Sequence, residues 1–364
     1  MHYEEGRLNE AEACFRASLN IQSGQPDVHA NLGLLLWRAG RLREASDHLQ
    51  RGLALRPDDP LRHMTHAMLR LARGDMAAGW AEYEWRWKMD VLARTRRDMG
   101  RPQWDGKPAP GQTLFIQPEG GFGDIIQFSR YVSLAAARGM KVILEAPPPL
   151  VRLLRGLPGG IQVIKQGDEL PDFDLYCPLL SLPLAFGTTL DSIPGTTPYL
   201  FADQYPISRA TTHRRVGLVW AGNPGLSPTG AAGFDKRRSI PPERFAPLFS
   251  VTGVTFFSLQ KFGTMAPADF HLKNLMPDMT DFADTASLIQ SLDLVVAVDT
   301  AVAHLAGALN KPVWLLNRFD SCWRWLTGRR DSPWYPSMRI YRQPEPGDWE
   351  SVIAEVARDL KVWT

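Results

Sequence analysis

Two short stretches carry residue types that chemistry needs. The first, Pro118-Glu119-Gly120-Gly121-Phe122-Gly123-Asp124, sets one carboxylate, Asp124, in a glycine-rich turn that lets another molecule come close to the backbone. A carboxylate placed there can take a proton from an attacking hydroxyl, or it can simply cap a helix. The second, Asp299-Thr300-Ala301-Val302-Ala303-His304, puts Asp299 and Thr300 at the mouth of a helix, with His304 one turn in on the face shared with Thr300. Free helix N–H groups and the helix dipole favour a phosphate or diphosphate at such a mouth. The plainer alternative is an ordinary capped helix with a buried, satisfied histidine.

The elements that must hold these residues follow from apolar runs. Leu294 to Val298 is a Val-rich run too short for a helix of ordinary length, which predicts a strand buried on both faces of a parallel sheet. Small residues then predict a helix capped by Thr300 or Asp299 and ended by Asn310, and after Pro312 an apolar run returns to the sheet. In such a β-α-β unit the turn after the strand lies at the carboxyl edge of the sheet. Earlier strands at Val216 to Trp220 and Val254 to Leu259 end at Asn223 and Lys261, and the later one at Asn317 and Arg318. The loop Ala221-Gly222-Asn223-Pro224 reads as flexible and leads to Asp235-Lys236-Arg237-Arg238, with helices from Pro241 or Pro242 through Phe249 and from Asp284 to Leu292. Lys236, Arg238 and Lys261, with the helix start at Thr300, fit a diphosphate; taken singly, each is equally a solvated charge.

An earlier alternating half contains strands at Thr113 to Gln117, Lys141 to Glu145, Ile161 to Lys165 and Leu175 to Cys177. A helix from about Ile125 to Arg138 presents Ile125, Phe128, Val132 and Ala135 as a buried stripe, and shorter helices fall around Leu150 to Leu154 and Leu180 to Phe186. This is half of a doubly wound domain. Gly121-x-Gly123 is followed at the third glycine position by Ile126, which disfavours a nicotinamide dinucleotide. Asp172-Phe173-Asp174 spells an Asp-x-Asp but leads into an apolar strand without a second acidic cluster, and is read as a turn. Thr188 to His213 reads as a linker. The chain closes with a strand around Arg339 to Arg342 and a helix from Asp348 to Leu360.

The first stretch repeats. Gly6-Arg7-Leu8, Gly40-Arg41-Leu42 and Gly74-Asp75-Met76 stand 34 residues apart, and the same offset relates Phe15, Leu49 and Tyr83, or Pro26 and Pro60. Small residues at helix crossings, an aromatic or Leu one turn on, and Pro closing the second helix at that period resemble the tetratricopeptide repeat. About two and a half repeats are present, and no helix precedes Gly6, so the array begins inside a repeat. Met89 to Pro110, with Arg94, Arg96, Arg97, Arg101 and Lys107, reads as an exposed connector. A net charge of +2 over 364 residues, without a long basic run, argues against nucleic acid. Three scattered cysteines give no disulfide framework or metal site, and no apolar run approaches the ~18 residues of a membrane span. A cytoplasmic protein is expected.

Two doubly wound halves with Glu119-Gly-Gly-Phe-Gly-Asp124 in the first, and Asp299-Thr300 followed by His304-Leu-Ala in the second, resemble the lipopolysaccharide heptosyltransferase family, above all bacterial proteins that place tetratricopeptide repeats before such a domain. Arg-Ser-Ile-Pro and Ser-Pro-Trp-Tyr-Pro strengthen the match, which covers about Gln112 to the C-terminus. The resemblance implies a GT-B fold of two Rossmann-like domains and no metal. It implies Asp124 as catalytic base, Lys236 as the diphosphate-binding lysine, and Thr300 and His304 as donor-phosphate contacts. Two departures stand out: Ala301 replaces the family's Gly after Asp-Thr, and the long loop before Lys236 leaves Arg238 as an alternative for its role. The repeat-plus-transferase plan is shared with protein O-linked N-acetylglucosamine transferases, which suggests a protein acceptor by analogy.

The expected organisation is a helical repeat array over 1–95, a linker over 96–111, an acceptor-side Rossmann-like domain over 112–205 and a nucleotide-sugar-binding one over 206–364. The expected function is an inverting, metal-independent glycosyltransferase with no cofactor. Asp124 acts as base, Glu119 to Gly123 form the acceptor-side loop, and Asn223, Lys236, Arg238, Lys261, Asp299, Thr300, Ala301 and His304 hold the donor. The acceptor is a cell-surface glycan or a protein, such as flagellin, held by the repeats. The alternatives are an inactive transferase-like scaffold whose repeats bind a partner, and a sugar-nucleotide epimerase, which should need extra acidic residues in the cleft.

Overall fold

The computed structural model describes residues 8–90, 96–207, 212–223 and 232–363. The repeat turn at Gly6 and Arg7, the connector's Arg94, and Pro224 lie outside these residues. The chain forms two compact units. One takes residues up to Gly100 together with Gly187–Ser192 and Phe319–Gly328; the other takes Arg101–Phe186, Ile193–Arg318 and the stretch from Arg329.

The first unit is helical: α1 (Leu8–Ile21), α2 (Pro26–Arg38), α3 (Leu42–Leu55), α4 (Pro60–Ala72) and α5 (Met76–Tyr83), followed by a 3-10 turn at Glu84–Lys88. Neighbouring helices bury Leu32, Leu36, Ala45, Leu49 and Leu69, with Phe15 and Leu19 packed against them. Each of the four leucines contributes about 1.5–3 kcal/mol on burial. Pro26 and Pro60 open the following helices rather than closing the preceding ones. Proline suits the first helical position, where an N–H has no partner within the helix. Asp59 caps α4 by accepting from the Arg62 backbone N–H at 3.1 Å.

The second unit holds two parallel sheets. The smaller contains β1 (Thr113–Gln117), β2 (Lys141–Ala146), β3 (Gln162–Lys165) and β4 (Leu175–Pro178) in the order β3-β2-β1-β4. Its helices are α6 (Phe122–Phe128), α7 (Arg130–Ala136), α8 (Pro148–Leu154) and α9 (Leu182–Ala185). The expected helix from Ile125 thus begins three residues earlier and breaks at Ser129, whose hydroxyl donates back to the Ile126 carbonyl at 2.9 Å. Asp174 of the Asp-x-Asp is a tether, accepting from the Thr113 N–H at 2.7 Å.

The larger sheet contains β5 (Arg214–Val219), β6 (Val254–Ser258), β7 (Lys273–Asn274), β8 (Leu294–Val298), β9 (Val313–Asn317) and β10 (Met338–Arg342) in the order β10-β9-β8-β5-β6-β7. Its helices are α10 (Ala232–Arg238), α11 (Ala246–Phe249), α12 (Phe282–Gln290), α13 (Ala301–Ala308) and α14 (Trp349–Trp363). Every residue of β8 and β9 is buried, as their unbroken apolar runs require. Asp348 caps α14 by accepting from the Ser351 N–H at 3.0 Å.

Four features differ from expectation. The stretch around Asp235 to Arg238 is helical as α10, and β7 adds an edge strand. The connector is not wholly exposed: Gln103 pairs in parallel with Tyr176 of β4, and Trp104 is buried, its indole donating to the Lys107 carbonyl at 2.8 Å. The segment from Thr188 to His213 is not simply a linker. Tyr199 and Leu200 are buried and both donate to the Ala308 carbonyl of α13, and Tyr205 donates to the Ser287 carbonyl of α12.

Candidate functional site

Asp124 is the third residue of α6. Its Oδ2 accepts from the Gly121 backbone N–H at 2.8 Å, the half of a capping box that a glycine cap allows. Glu119 and Gly120 form the turn from β1. A side chain at Gly120, where φ is +79°, would run into the Asp124 carboxylate. Phe122 packs edge-on against Phe282 at the start of α12, with ring centroids 5.2 Å apart. Gly123 lies against α13: a Cβ there would stand 3.0 Å from His304 Cδ2 and 3.4 Å from the Ala301 Cα. The two stretches picked out for chemistry therefore meet in one helix contact.

At the carboxyl edge of the larger sheet, Thr300 caps α13 without a side-chain bond to it, and its buried Oγ1 has no hydrogen-bond partner among the described residues. Asp299 is buried, and its backbone carbonyl accepts from Arg238 Nη1 at 2.8 Å. The same guanidinium reaches Asp235 through Nε at 2.9 Å and Nη2 at 2.7 Å. Arg238 is thus a brace between α10 and the end of β8. Lys236, two residues earlier, is exposed. Gly222 and the half-buried Asn223 follow β5, and a Cβ on Gly222 would overlap both Asp235 and Arg238.

His304 is buried. Its Nδ1 lies 2.9 Å from the Tyr335 hydroxyl, and its Nε2 is 3.9 Å from Asp299 Oδ1. Lys261 is exposed, and its Nζ donates to the Met279 carbonyl at 2.9 Å.

Sequence reasoning missed three residues. Gln260 pins the loop after β5, its Oε1 accepting from the Trp220 and Ala221 N–H groups and its Nε2 donating to the Ala221 carbonyl, each at 3.0 Å. Arg130 of α7 is buried, yet it is held by oxygens rather than a carboxylate: it donates to the carbonyls of Gln127 at 2.8 Å, Trp334 at 2.7 Å and Pro194 at 3.0 Å, and to the Tyr199 hydroxyl at 3.1 Å. Burial opposes its charge, but the phenols of Tyr199 and Tyr335 outweigh that and hold its pKa above the usual arginine value. Burial also pushes Tyr335 well above the ordinary phenol range, so it stays a neutral hydroxyl beside His304. The available signal was a cation set inside the apolar helix stripe. Arg152 of α8 meets Asp281, at 2.7 Å, and Asp284 of α12. Bonds from Thr280 and the Arg152 charge bring Asp284 down to about 2. Among the described residues no group of three or more His, Cys, Asp or Glu side chains is arranged to hold a metal ion, and no helix is long and apolar enough to cross a membrane.

Residues 2–69 match the family described as tetratricopeptide repeat, and residues 265–318 match glycosyltransferase family 9 (heptosyltransferase). The second match contains the whole β8-α13-β9 unit. Protein FlbA of Caulobacter vibrioides is 25% identical over 348 residues, covering 84% of this chain and 56% of FlbA, so the chain spans little more than half that relative's length. Among solved structures, the ADP-heptose lipopolysaccharide heptosyltransferase II of E. coli aligns over 69% of this chain and 98% of its own, at 14% identity and TM-score 0.47. A Thermobaculum terrenum O-GlcNAc transferase aligns over 98% and 88%, at 13% identity and TM-score 0.33. The chain is thus similar to tetratricopeptide repeats over residues 2–69 and to glycosyltransferase family 9 (heptosyltransferase) over residues 265–318.

Proposed function

We propose that the protein is an inverting glycosyltransferase that uses a nucleotide sugar without a metal ion, and that its repeats hold a protein acceptor, such as flagellin, in the cytoplasm. The observation that carries this reading is the contact of Gly123 with Ala301 and His304, which brings the helix start that carries Asp124 against the helix mouth suited to a diphosphate. The unpartnered Thr300 hydroxyl at that mouth supports it.

In this reading the acceptor hydroxyl gives its proton to Asp124 as its oxygen attacks the anomeric carbon. The bond from that carbon to the diphosphate breaks, and its electron pair leaves on the diphosphate oxygen. Attack from the far side inverts the centre. The charge that develops is met by the start of α13, the Thr300 hydroxyl and Lys236, each charge-assisted contact worth about 1.5–3 kcal/mol. Arg238 and Gln260 act one step back: the first fixes the Asp299 backbone, the second the loop carrying Asn223.

The experiment is a thermal-shift screen against UDP, GDP, ADP, CMP and their sugar conjugates, with EDTA throughout. A ligand at about 100 times its dissociation constant should stabilise the fold by about 2.7 kcal/mol. A shift in EDTA supports the reading; silence from every nucleotide, with or without Mg²⁺, turns it toward a scaffold.

A further inference from the structure

Within the second unit, the phenol that touches His304 decides where that imidazole carries its proton. Tyr335 is buried, and its ring fills the space that Gly307 leaves, three residues along α13 from His304: a Cβ on Gly307 would stand 2.5 Å from Tyr335 Cδ1. Its backbone is held on both sides. The Trp334 carbonyl accepts from Arg130 Nη1 at 2.7 Å, and the Tyr335 carbonyl accepts from the Met338 N–H at 3.0 Å. The ring is thereby fixed, with its oxygen 2.9 Å from His304 Nδ1.

That contact can be made in two ways: the phenol donates to the lone pair of Nδ1, or an Nδ1–H donates to the phenol oxygen. Three neighbours favour the first. The Arg130 Cζ stands 4.7 Å from the centre of the Tyr335 ring, and a cation there strengthens the O–H as a donor and weakens the oxygen as an acceptor. The Tyr199 hydroxyl, on the same guanidinium, accepts from Arg130 Nη2 at 3.1 Å and gives its own hydrogen to the Ile126 carbonyl at 3.0 Å. It is therefore a weaker acceptor for the Tyr335 hydrogen than an imidazole nitrogen. On the far edge of the His304 ring, Oδ1 of the buried Asp299 lies 3.9 Å from Nε2, where a carboxylate attracts an N–H and repels a lone pair. An imidazolium would need the Tyr335 oxygen as an acceptor, which Arg130 opposes.

We infer that Tyr335, fixed by Arg130, is a positioning residue that holds His304 as the neutral tautomer protonated at Nε2, so that the imidazole offers an N–H to a phosphate oxygen at the Asp299-Thr300 mouth. Without the phenol the two tautomers mix, and in part of the molecules Nε2 turns a lone pair toward that phosphate. The ligand in this inference rests on the transferase reading; the placement of the proton does not.

The test is long-range proton–nitrogen correlation spectroscopy on the intact chain with nitrogen-15 in its histidines, of which there are 8, His304→Gln assigning the signals of this one. In wild type, Nδ1 should resonate as a bare nitrogen and Nε2 as an N–H. Tyr335→Phe keeps a ring against Gly307 and removes the hydroxyl, so the two signals should move toward each other, with donor KM several-fold higher and kcat changed less. A wild-type proton on Nδ1 or on both nitrogens overturns the inference, as does Tyr335→Phe with the wild-type pattern or the wild-type donor KM. Should Tyr335→Phe not fold, 3-fluorotyrosine in place of Tyr335 decides it: a more acidic O–H that donates should shift the Nδ1 signal, and an unmoved signal overturns the inference. If wild-type protein turns over no nucleotide sugar, the transferase reading fails, and the spectra still judge the tautomer.

Discussion

Gly123 and His304 touch with no room for a side chain between them: a Cβ on Gly123 would stand 3.0 Å from His304 Cδ2, and the Ala301 backbone follows at 3.4 Å. His304 cannot swing away, because its other edge is held by the Tyr335 hydroxyl at 2.9 Å. Gly123→Ala should therefore push α6 off α13, costing about 1–3 kcal/mol as overpacking does. Denaturant unfolding measures the loss, and turnover should fall with it because Asp124 rides on α6. Wild-type stability in this variant would show that the contact is loose.

Asp124→Asn separates the two duties of this residue. Asparagine keeps an oxygen that can accept from Gly121, so α6 keeps its start and the fold its melting temperature. It cannot take a proton, so transfer should drop about 10²- to 10⁴-fold while nucleotide binding persists. Turnover within a few-fold of wild type would remove Asp124 as the base.

The parts legible in sequence were those with a local period. The run Leu294–Val298 was expected as a buried strand and is one, because five apolar residues between turn signals leave few alternatives. The repeats were equally plain from their offset of 34. What stayed hidden depends on partners far along the chain. Tyr335 lies 31 residues beyond His304 in a proline-rich stretch without period. Arg238 binds the backbone of Asp299, and a carbonyl leaves no mark in a sequence. Lys261 could be placed at a strand end, but its bond to the Met279 carbonyl could not be foreseen. Trp104 and Tyr199 sit among residues whose composition spelled solvent, and each is buried although most of its segment is not.

The repeats also predict a pH effect. His29 and His63 occupy equivalent positions 34 apart, and their Nε2 atoms meet the carbonyls of Ser23 and Pro57 at 3.0 and 2.7 Å. Their partners differ: His29 Nδ1 faces His48 Nδ1 at 2.9 Å, whereas His63 Nδ1 faces the Glu82 carboxylate at 2.9 Å. Burial, then the neighbouring His29 with Arg16 and Arg51, holds the His48 pKa below its usual value, Glu44 opposing weakly. A histidine depressed in the fold binds its proton more readily when unfolded, so stability is intact above pH ~6.5 and is lost as pH falls through that value. His48→Glu would recreate the second repeat's pairing. Its melting temperature should fall less between pH 7.5 and 5.5 than that of wild type, as read by circular dichroism. An equal fall in both proteins would place the acid sensitivity elsewhere.

Arg238 and Lys236 lie two residues apart on one short helix but should fail in different ways. The Arg238 fork is fully used, with Nε and Nη2 on Asp235 and Nη1 on the Asp299 carbonyl. Lysine has one compact head and cannot reach both partners, so Arg238→Lys should free the Asp299 backbone and leave Asp235 underpaired beside Gly222. The loss of charge-assisted bonds costs about 1.5–3 kcal/mol of stability, and donor affinity falls with it because Thr300 follows Asp299 directly. Lys236 is exposed, so Lys236→Ala should keep the melting temperature and weaken nucleotide binding most at low salt, where an exposed charge is least screened. Calorimetric melting and nucleotide titration at two salt concentrations distinguish a brace from a direct contact. If Arg238→Lys melts like wild type yet binds no nucleotide, Arg238 touches the donor itself, and the roles given to these two cations are reversed.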